Sequence, residues 1–209
     1  MTMDGCIGIL LAGGYGSRYA AESPGADKLL ARLPDGRPVA VAAAQAMLEA
    51  LPQALAVVRP ESTALAALLS AEGCRVVPAV QARQGMGGSL AAAAIALMRD
   101  TPSSRHCLVA LADMPWLRSA TVAHVALHSR GHRIAAPVYE GQRGHPVAFA
   151  AELWPELAGL EGDEGARILL RRQGVHALPV DDPGVLADVD VPADLAAART
   201  SPNGRRSPD

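Results

Sequence analysis

The chain has 209 residues, of which 50% are hydrophobic but only 3% aromatic, and its formal net charge is −2. That length fits one domain whose core is filled by Ala, Leu and Val. The near-neutral charge excludes a protein that binds nucleic acid by massed phosphate neutralisation, or a membrane through a polybasic patch.

In chain order, residues 6–11 read as a buried strand running into a glycine-rich turn, and 28–33 as a short strand closed by Pro34-Asp35-Gly36. Residues 39–51 form a helix between Pro38 and Pro52, and 54–58 a strand. A helix follows over 62–72, with Ser62 as N-cap and Gly73 after its end. Residues 75–78 are a strand, 89–98 a helix, 107–111 a strand, 121–129 a helix and 134–137 a strand. The βα repetition predicts an α/β fold with a mostly parallel sheet covered on both faces. The second half is less regular. Strands are expected at 147–149, 176–180 and 186–189, and helices at 153–157, 166–172 and 193–198. Residues 1–199 are expected to form the single domain, and the polar tail 200–209 to be disordered.

Cys6, Cys74 and Cys107 are far apart and form no CxxC pair, which argues against structural zinc and a disulfide framework. The apolar run near the N-terminus is too short for a signal peptide or a span. A cytoplasmic protein is expected.

The segment ILLAGGYGSRYAAESPGADKLL carries the strongest chemical signal. A buried strand opens into Ala12-Gly13-Gly14, with Gly16, Arg18 and Lys28 behind. Small residues let backbone N–H groups approach phosphate oxygens. Arg18 can fork onto two such oxygens, and Lys28 adds a point charge. Neither a Walker loop nor GxGxxG occurs, since Tyr19 stands where the third glycine would fall. In LVALADMPW, Asp113 stands at a strand's carboxyl edge and suits Mg²⁺, which takes one or two carboxylates plus substrate phosphates. In ADVDVPAD, Asp188 and Asp190 would share a strand face, and either could supply a second carboxylate. Asp194 reads as a first-turn helix residue. In QGMGGSL, three glycines and Ser89 precede a helix; the backbone could approach a base or ribose, and Ser89 could cap. His145 in RGHP lies in a loop suited to ligand contact, with GDEGAR as a further motif. His124, His128 and His132 read as a solvated stripe, and Glu49, Glu72 and Glu164 as helix-surface or capping residues. No GxSxG elbow supports hydrolysis.

These motifs, in this order over about residues 6–198, resemble the molybdenum cofactor cytidylyltransferase-like branch of the nucleotidyltransferase superfamily. The resemblance implies a Rossmann-like three-layer α/β/α fold of the nucleotide-diphospho-sugar transferase type. It implies Mg²⁺-dependent transfer of CMP from CTP to the phosphate of a molybdopterin cofactor, with release of pyrophosphate and a molybdoenzyme as client. Nucleotide contacts would come from Leu11, Ala12, Gly13, Gly14, Gly16, Ser17, Arg18, Lys28, Gln81, Gly85, Met86, Gly88, Ser89 and Asp113. Arg18, Lys28 and Asp113 would be catalytic, Asp113 and Asp190 would hold the metal, and Met114, Pro115, His145 and Pro146 would face the acceptor. Residues 19–27 would form a flap over the phosphates.

The chain also departs from the pattern. Ala12-Gly13-Gly14 replaces the Ala-Ala-Gly frequent in the cytidylyltransferases and is closer to guanylyltransferase relatives, so CTP and GTP both remain open. Val191 stands where Thr usually precedes Pro192. Three other readings compete: a cofactor-binding chaperone without turnover, an NAD(P)H-dependent oxidoreductase on the same type of fold, and a sugar or alcohol-phosphate nucleotidyltransferase.

Overall fold

A computed structural model describes residues 5–101, 104–162 and 165–197; the expected tail 200–209 and Glu164 lie outside them. Strand β1 (Cys6–Ala12) leads through a glycine loop into helix α1 (Ser17–Glu22). Helix α2 (Val39–Ala50), β2 (Ala54–Val58), α3 (Thr63–Ala71) and β3 (Arg75–Pro78) follow. A 3-10 turn over Val80–Gln84 runs into α4 (Met86–Asp100), then β4 (His106–Leu111) and α5 (Ser119–His128). The last third holds β5 (Ile134–Tyr139), β6 (Gln142–Arg143), β7 (Val147–Ala150) and α6 (Trp154–Ala158). It closes with α7 (Arg167–Gln173), β8 (His176–Pro179) and α8 (Asp194–Ala197).

The strand order is β3-β2-β1-β4-β7-β5-β6, with β8 on β5. β3, β2, β1 and β4 are parallel, β7 is antiparallel to both its neighbours, and β8 is parallel to β5. The alternation along β1 explains the two cores. Ile7, Ile9 and Leu11 pack with Leu97, Phe149 and Trp154 on one face. Leu10 and Ala12 pack with Met47, Leu51 and Val125 on the other. Gly8 leaves room for Met47, whose Cγ would lie 2.5 Å from a Cβ there. With one Phe in the chain, these layers approach closely on small residues.

Several sequence expectations change. Residues 28–33 form a turn with an isolated Arg32–Pro38 bridge, not a strand. Leu29 and Leu33 are buried there, and the carbonyls of Leu29 and Ala31 accept from Ala40 and Val39. The turn thus satisfies the first amides of α2, which has no side-chain cap. Residues 186–189 are not a strand either, because β5 already pairs with β6, β7 and β8, and the Val189 N–H goes to the Asp113 carbonyl at 2.8 Å. Helix α4 starts at Met86 rather than Ser89, and the Ser62 side chain caps nothing. Residues 19–22 of the expected flap are helical, as part of α1, with Tyr19 in the core.

Candidate active site

The carboxyl ends of β1 and β4 lie side by side, since Leu11 pairs with Leu111. This is the edge where open α/β sheets bind ligands. After β1 the chain turns at Gly16, whose φ of +57° is left-handed. A Cβ at Gly16 would lie 3.2 Å from Lys28 Cγ, so the glycine lets the lysine stem pass beneath. Lys28 Nζ donates to Asp113 Oδ2 at 2.5 Å and to the Val189 carbonyl at 3.1 Å, and lies 3.7 Å from Asp190 Oδ1. The Lys28 and Asp113 side chains are only 10% and 17% exposed. Arg18, on α1, is paired with Asp190.

Asp194 holds this last loop in place. Its Oδ2 accepts from the amides of Asp190 and Val191 at 2.8 and 2.9 Å. Buried Asp182 anchors the approach to it, accepting from Thr121 Oγ1 at 2.6 Å and Gly184 N at 2.9 Å. Asp188 is pushed up from the ordinary carboxylate value, first by burial, then by the charges of Asp190 and Asp113. In the sequence Asp182 belongs to no motif, and Asp194 reads as an ordinary helix residue. An acid in the first turn of α8 was the signal for Asp194; Asp182 left none.

Beside the charged cluster lies a pocket of about 280 Å³. Of the expected nucleotide residues, Leu11, Gly13, Gly14, Gly85, Met86, Ser89 and Asp113 line it, joined by Tyr15, Ala82 and Leu111. The two glycine loops touch: a Cβ on Gly13 would lie 2.8 Å from Ala82 Cβ and 2.9 Å from Ser89 Oγ. Ala12, Gly16, Ser17, Gln81 and Gly88 stand outside the lining. Ala12 is buried in the opposite core, and Gly88 packs on the Gln81 carbonyl. Met114 and Pro115 are buried and line neither this pocket nor the next.

A second pocket, of about 250 Å³, shares Leu11, Met86 and Leu111 with the first. It is lined by Val109, Val147, Phe149 and Leu170 and flanked by Arg143, His145 and Arg167. Pro146 is buried and stands outside the lining. The motifs meet here: Gly87 N donates to Gly162 O at 2.8 Å, which joins QGMGGSL to GDEGAR. His145 Nδ1 lies 3.2 Å from the Val109 carbonyl, which can only accept, so Nδ1 carries the proton. Burial pushes the His145 pKa down; the Val109 bond and Asp113 oppose this, and Arg143 adds to it. A larger cleft, about 870 Å³, is at the other end of the sheet around Cys6, Arg105 and His106 and contains none of these residues.

The site can hold a cation. Asp113 Oδ1 is buried and accepts no hydrogen bond, so one lone-pair-rich oxygen awaits a partner. Among the described residues, no group of three or more His, Cys, Asp or Glu could hold a metal alone. Among the described residues Asp113 and Asp190, both beside Lys28, form a carboxylate pair, the arrangement suited to an ion that also binds phosphate oxygens. The His124 and His128 rings meet at a tilt of 34°, and His132 stacks on His176, so these histidines make ring contacts. No helix among the described residues is long and apolar enough to cross a membrane.

Comparison with known proteins gives the family. The MobA-like NTP transferase domain matches residues 8–178. Nicotine blue oxidoreductase of Paenarthrobacter nicotinovorans is 32% identical over 197 residues, covering 88% of this chain and 92% of that protein. Rv0371c from Mycobacterium tuberculosis H37Rv superposes with a TM-score of 0.79 at 27% identity, covering 96% of this chain and all of that one (100%). A complex of Rv0371c with manganese gives a TM-score of 0.74 at 27% identity, over 92% of this chain and 96% of that one. The chain belongs to the MobA-like NTP transferase family and is a nucleotidyltransferase.

Proposed function

We propose that the protein transfers CMP from CTP to the terminal phosphate of a molybdopterin-type cofactor and releases pyrophosphate, with GTP as the alternative donor. One observation carries the reading. Two cations, Arg18 and Lys28, and two carboxylates, Asp113 and Asp190, meet beside a pocket walled by two glycine loops. The apolar second pocket, flanked by two arginines, supports an acceptor with a flat body and an anionic group. Met114, Pro115 and Pro146 would support it from the buried side, and His145 would act at its wall. The unpaired cysteines support a cytoplasmic setting, where a molybdoenzyme would be the client.

In this reaction an oxygen of the acceptor phosphate attacks the α-phosphorus, the bond to the bridging oxygen breaks, and pyrophosphate leaves with the electron pair. The acceptor phosphate is largely ionised at neutral pH, with a second pKa of about 6, so no protein base is needed. The chain's residues position and neutralise. Arg18 and Lys28 meet charge that builds on the leaving group. The glycine-loop amides hold the phosphates, and Ser89 and Gly85 border the base and ribose. Asp113 and Asp190 would hold Mg²⁺, which when bound neutralises the α-phosphate and the incoming oxygen. The manganese complex of Rv0371c supports a divalent ion.

The test is a transfer assay with CTP or GTP, Mg²⁺ and purified molybdopterin cofactor, reading pyrophosphate and the dinucleotide product. Asp113→Ala should lower turnover by about 10²-fold or more while the protein stays folded. Unimpaired turnover in that variant contradicts the assignment.

The name of the Paenarthrobacter relative favours one second reading, in which a nicotinamide nucleotide in the same pocket donates hydride. The missing GxGxxG and the paired cations and carboxylates weigh against it. NADPH oxidation by the purified protein would favour it.

A further inference from the structure

Arg59 has no place in the chemistry above, yet it touches the glycine loop that the chemistry needs. It follows β2 directly at the carboxyl end of the sheet, and its side chain is only 14% exposed. Nη1 donates to the Gly14 carbonyl at 2.7 Å and lies 3.4 Å from that of Gly13. Cζ stands 4.5 Å from the centre of the Tyr15 ring, a cation–π contact. Tyr15 itself lines the nucleotide pocket and is 60% exposed. Arg59 Nε is buried without a hydrogen bond, and its nearest anion is Glu61 at 3.6 Å. Glu61 also accepts from Arg83 at 2.9 Å, and Arg83 lies in the 3-10 turn that leads into Gly85. A chain of contacts, Tyr15–Arg59–Glu61–Arg83, therefore joins the first glycine loop to the second.

Peptide geometry gives this chain a consequence. In a trans peptide the C=O and the following N–H point in opposite directions in one plane. Holding the carbonyls of Gly13 and Gly14 towards Arg59 therefore turns the amides of Gly14 and Tyr15 away from it. Among the described residues, no hydrogen bond takes up either amide. A Cβ on Gly14 would find nothing within 4 Å, so side-chain packing does not fix this residue.

We propose that Arg59 is a positioning residue for nucleotide binding. It aims the Gly14 and Tyr15 amides at the phosphates and, through Glu61 and Arg83, sets the spacing of the two loops. The inference rests on the nucleotide reading of the pocket, but the latch itself can be tested without nucleotide.

Arg59→Met, Arg59→Lys and Glu61→Gln are compared with the unaltered chain in two measurements. The first is calorimetric titration of CTP and of GTP with Mg²⁺, paired with KM and kcat in the transfer assay. The second is backbone ¹⁵N relaxation without nucleotide. Arg59→Met should weaken nucleotide binding about tenfold, the cost of a lost charged hydrogen bond, and raise KM while leaving kcat little changed. Arg59→Lys should recover part of the loss, because an ammonium can still reach the Gly14 carbonyl. Glu61→Gln, at a partly exposed position, should weaken binding about threefold and serves if Arg59→Met does not fold. Relaxation should show faster motion at residues 13–16 in Arg59→Met and at residues 84–86 in Glu61→Gln.

Unchanged affinity with unchanged relaxation in these variants overturns the inference, as does a loss confined to kcat. If the unaltered chain binds neither nucleotide, the proposed function fails, and the relaxation data alone decide whether Arg59 orders the loops.

Discussion

Lys28 and Asp113 are 85 positions apart in the sequence and share a short ion pair. The cations proposed for phosphate and the carboxylates proposed for metal thus hold one another, so a triphosphate and a divalent ion gain most by entering together. Lys28, Arg18 and Asp113 were legible as residues because each follows a strand that ends at the same edge. Their pairing was not legible, nor was the choice between the two aspartates: Asp190 faces the cations, whereas Asp188 is partly desolvated beside it. Arg59 gave no signal, since an arginine before a proline turn reads as surface. His145 carries a prediction at this scale. Its folded pKa lies below the ordinary value near 6.5, so the unfolded chain binds a proton that the folded chain refuses. Stability therefore falls as pH drops below about 6.5 towards the folded value. His106 and His124 are shifted the same way by burial and add to the slope. Melting temperatures from pH 7.5 to 5 should fall less steeply for His145→Gln than for the unaltered chain. An identical slope contradicts the account.

Among the elements, the sequence located most strands and helices, because buried β-branched and Leu-rich runs alternate with Ala-rich helical ones. It failed where an apolar alternation has no neighbour to pair with. Residues 186–189 look like a strand, yet their backbone serves Asp113 and not a sheet. It also failed at the start of α4, where two glycines argue for a turn. Those glycines are helical because their neighbours are close. A Cβ on Gly88 would lie 2.0 Å from the Gln81 carbonyl oxygen, and one on Gly87 would lie 2.5 Å from that of Glu161. Both obstacles are backbone and cannot rotate away. Gly88→Ala should therefore cost about 1–3 kcal/mol and displace the 3-10 turn from the pocket wall. Gly14→Ala, with open space around it, should leave the melting temperature without nucleotide nearly unchanged. Equal melting temperatures for the two variants would contradict this packing.

For the whole molecule, the topology explains why one edge carries the chemistry. Four parallel strands end together, and the antiparallel β7 lets the chain return beside β4, which places the RGHP loop near Asp113. The return through β8 and the Asp182 anchor then carries Asp190 to the same place. Near-neutral net charge leaves the local cluster, and not a global field, to recognise phosphate. The central claim, a nucleotide site completed by a divalent ion, is tested most directly by the shift in melting temperature with CTP, GTP, ATP and NADPH, each with and without Mg²⁺. Ligands that bind the native state raise the melting point by mass action. The account predicts a shift with CTP or GTP that is larger with Mg²⁺ than without it. A shift with NADPH alone, or no shift with any nucleotide, would contradict it.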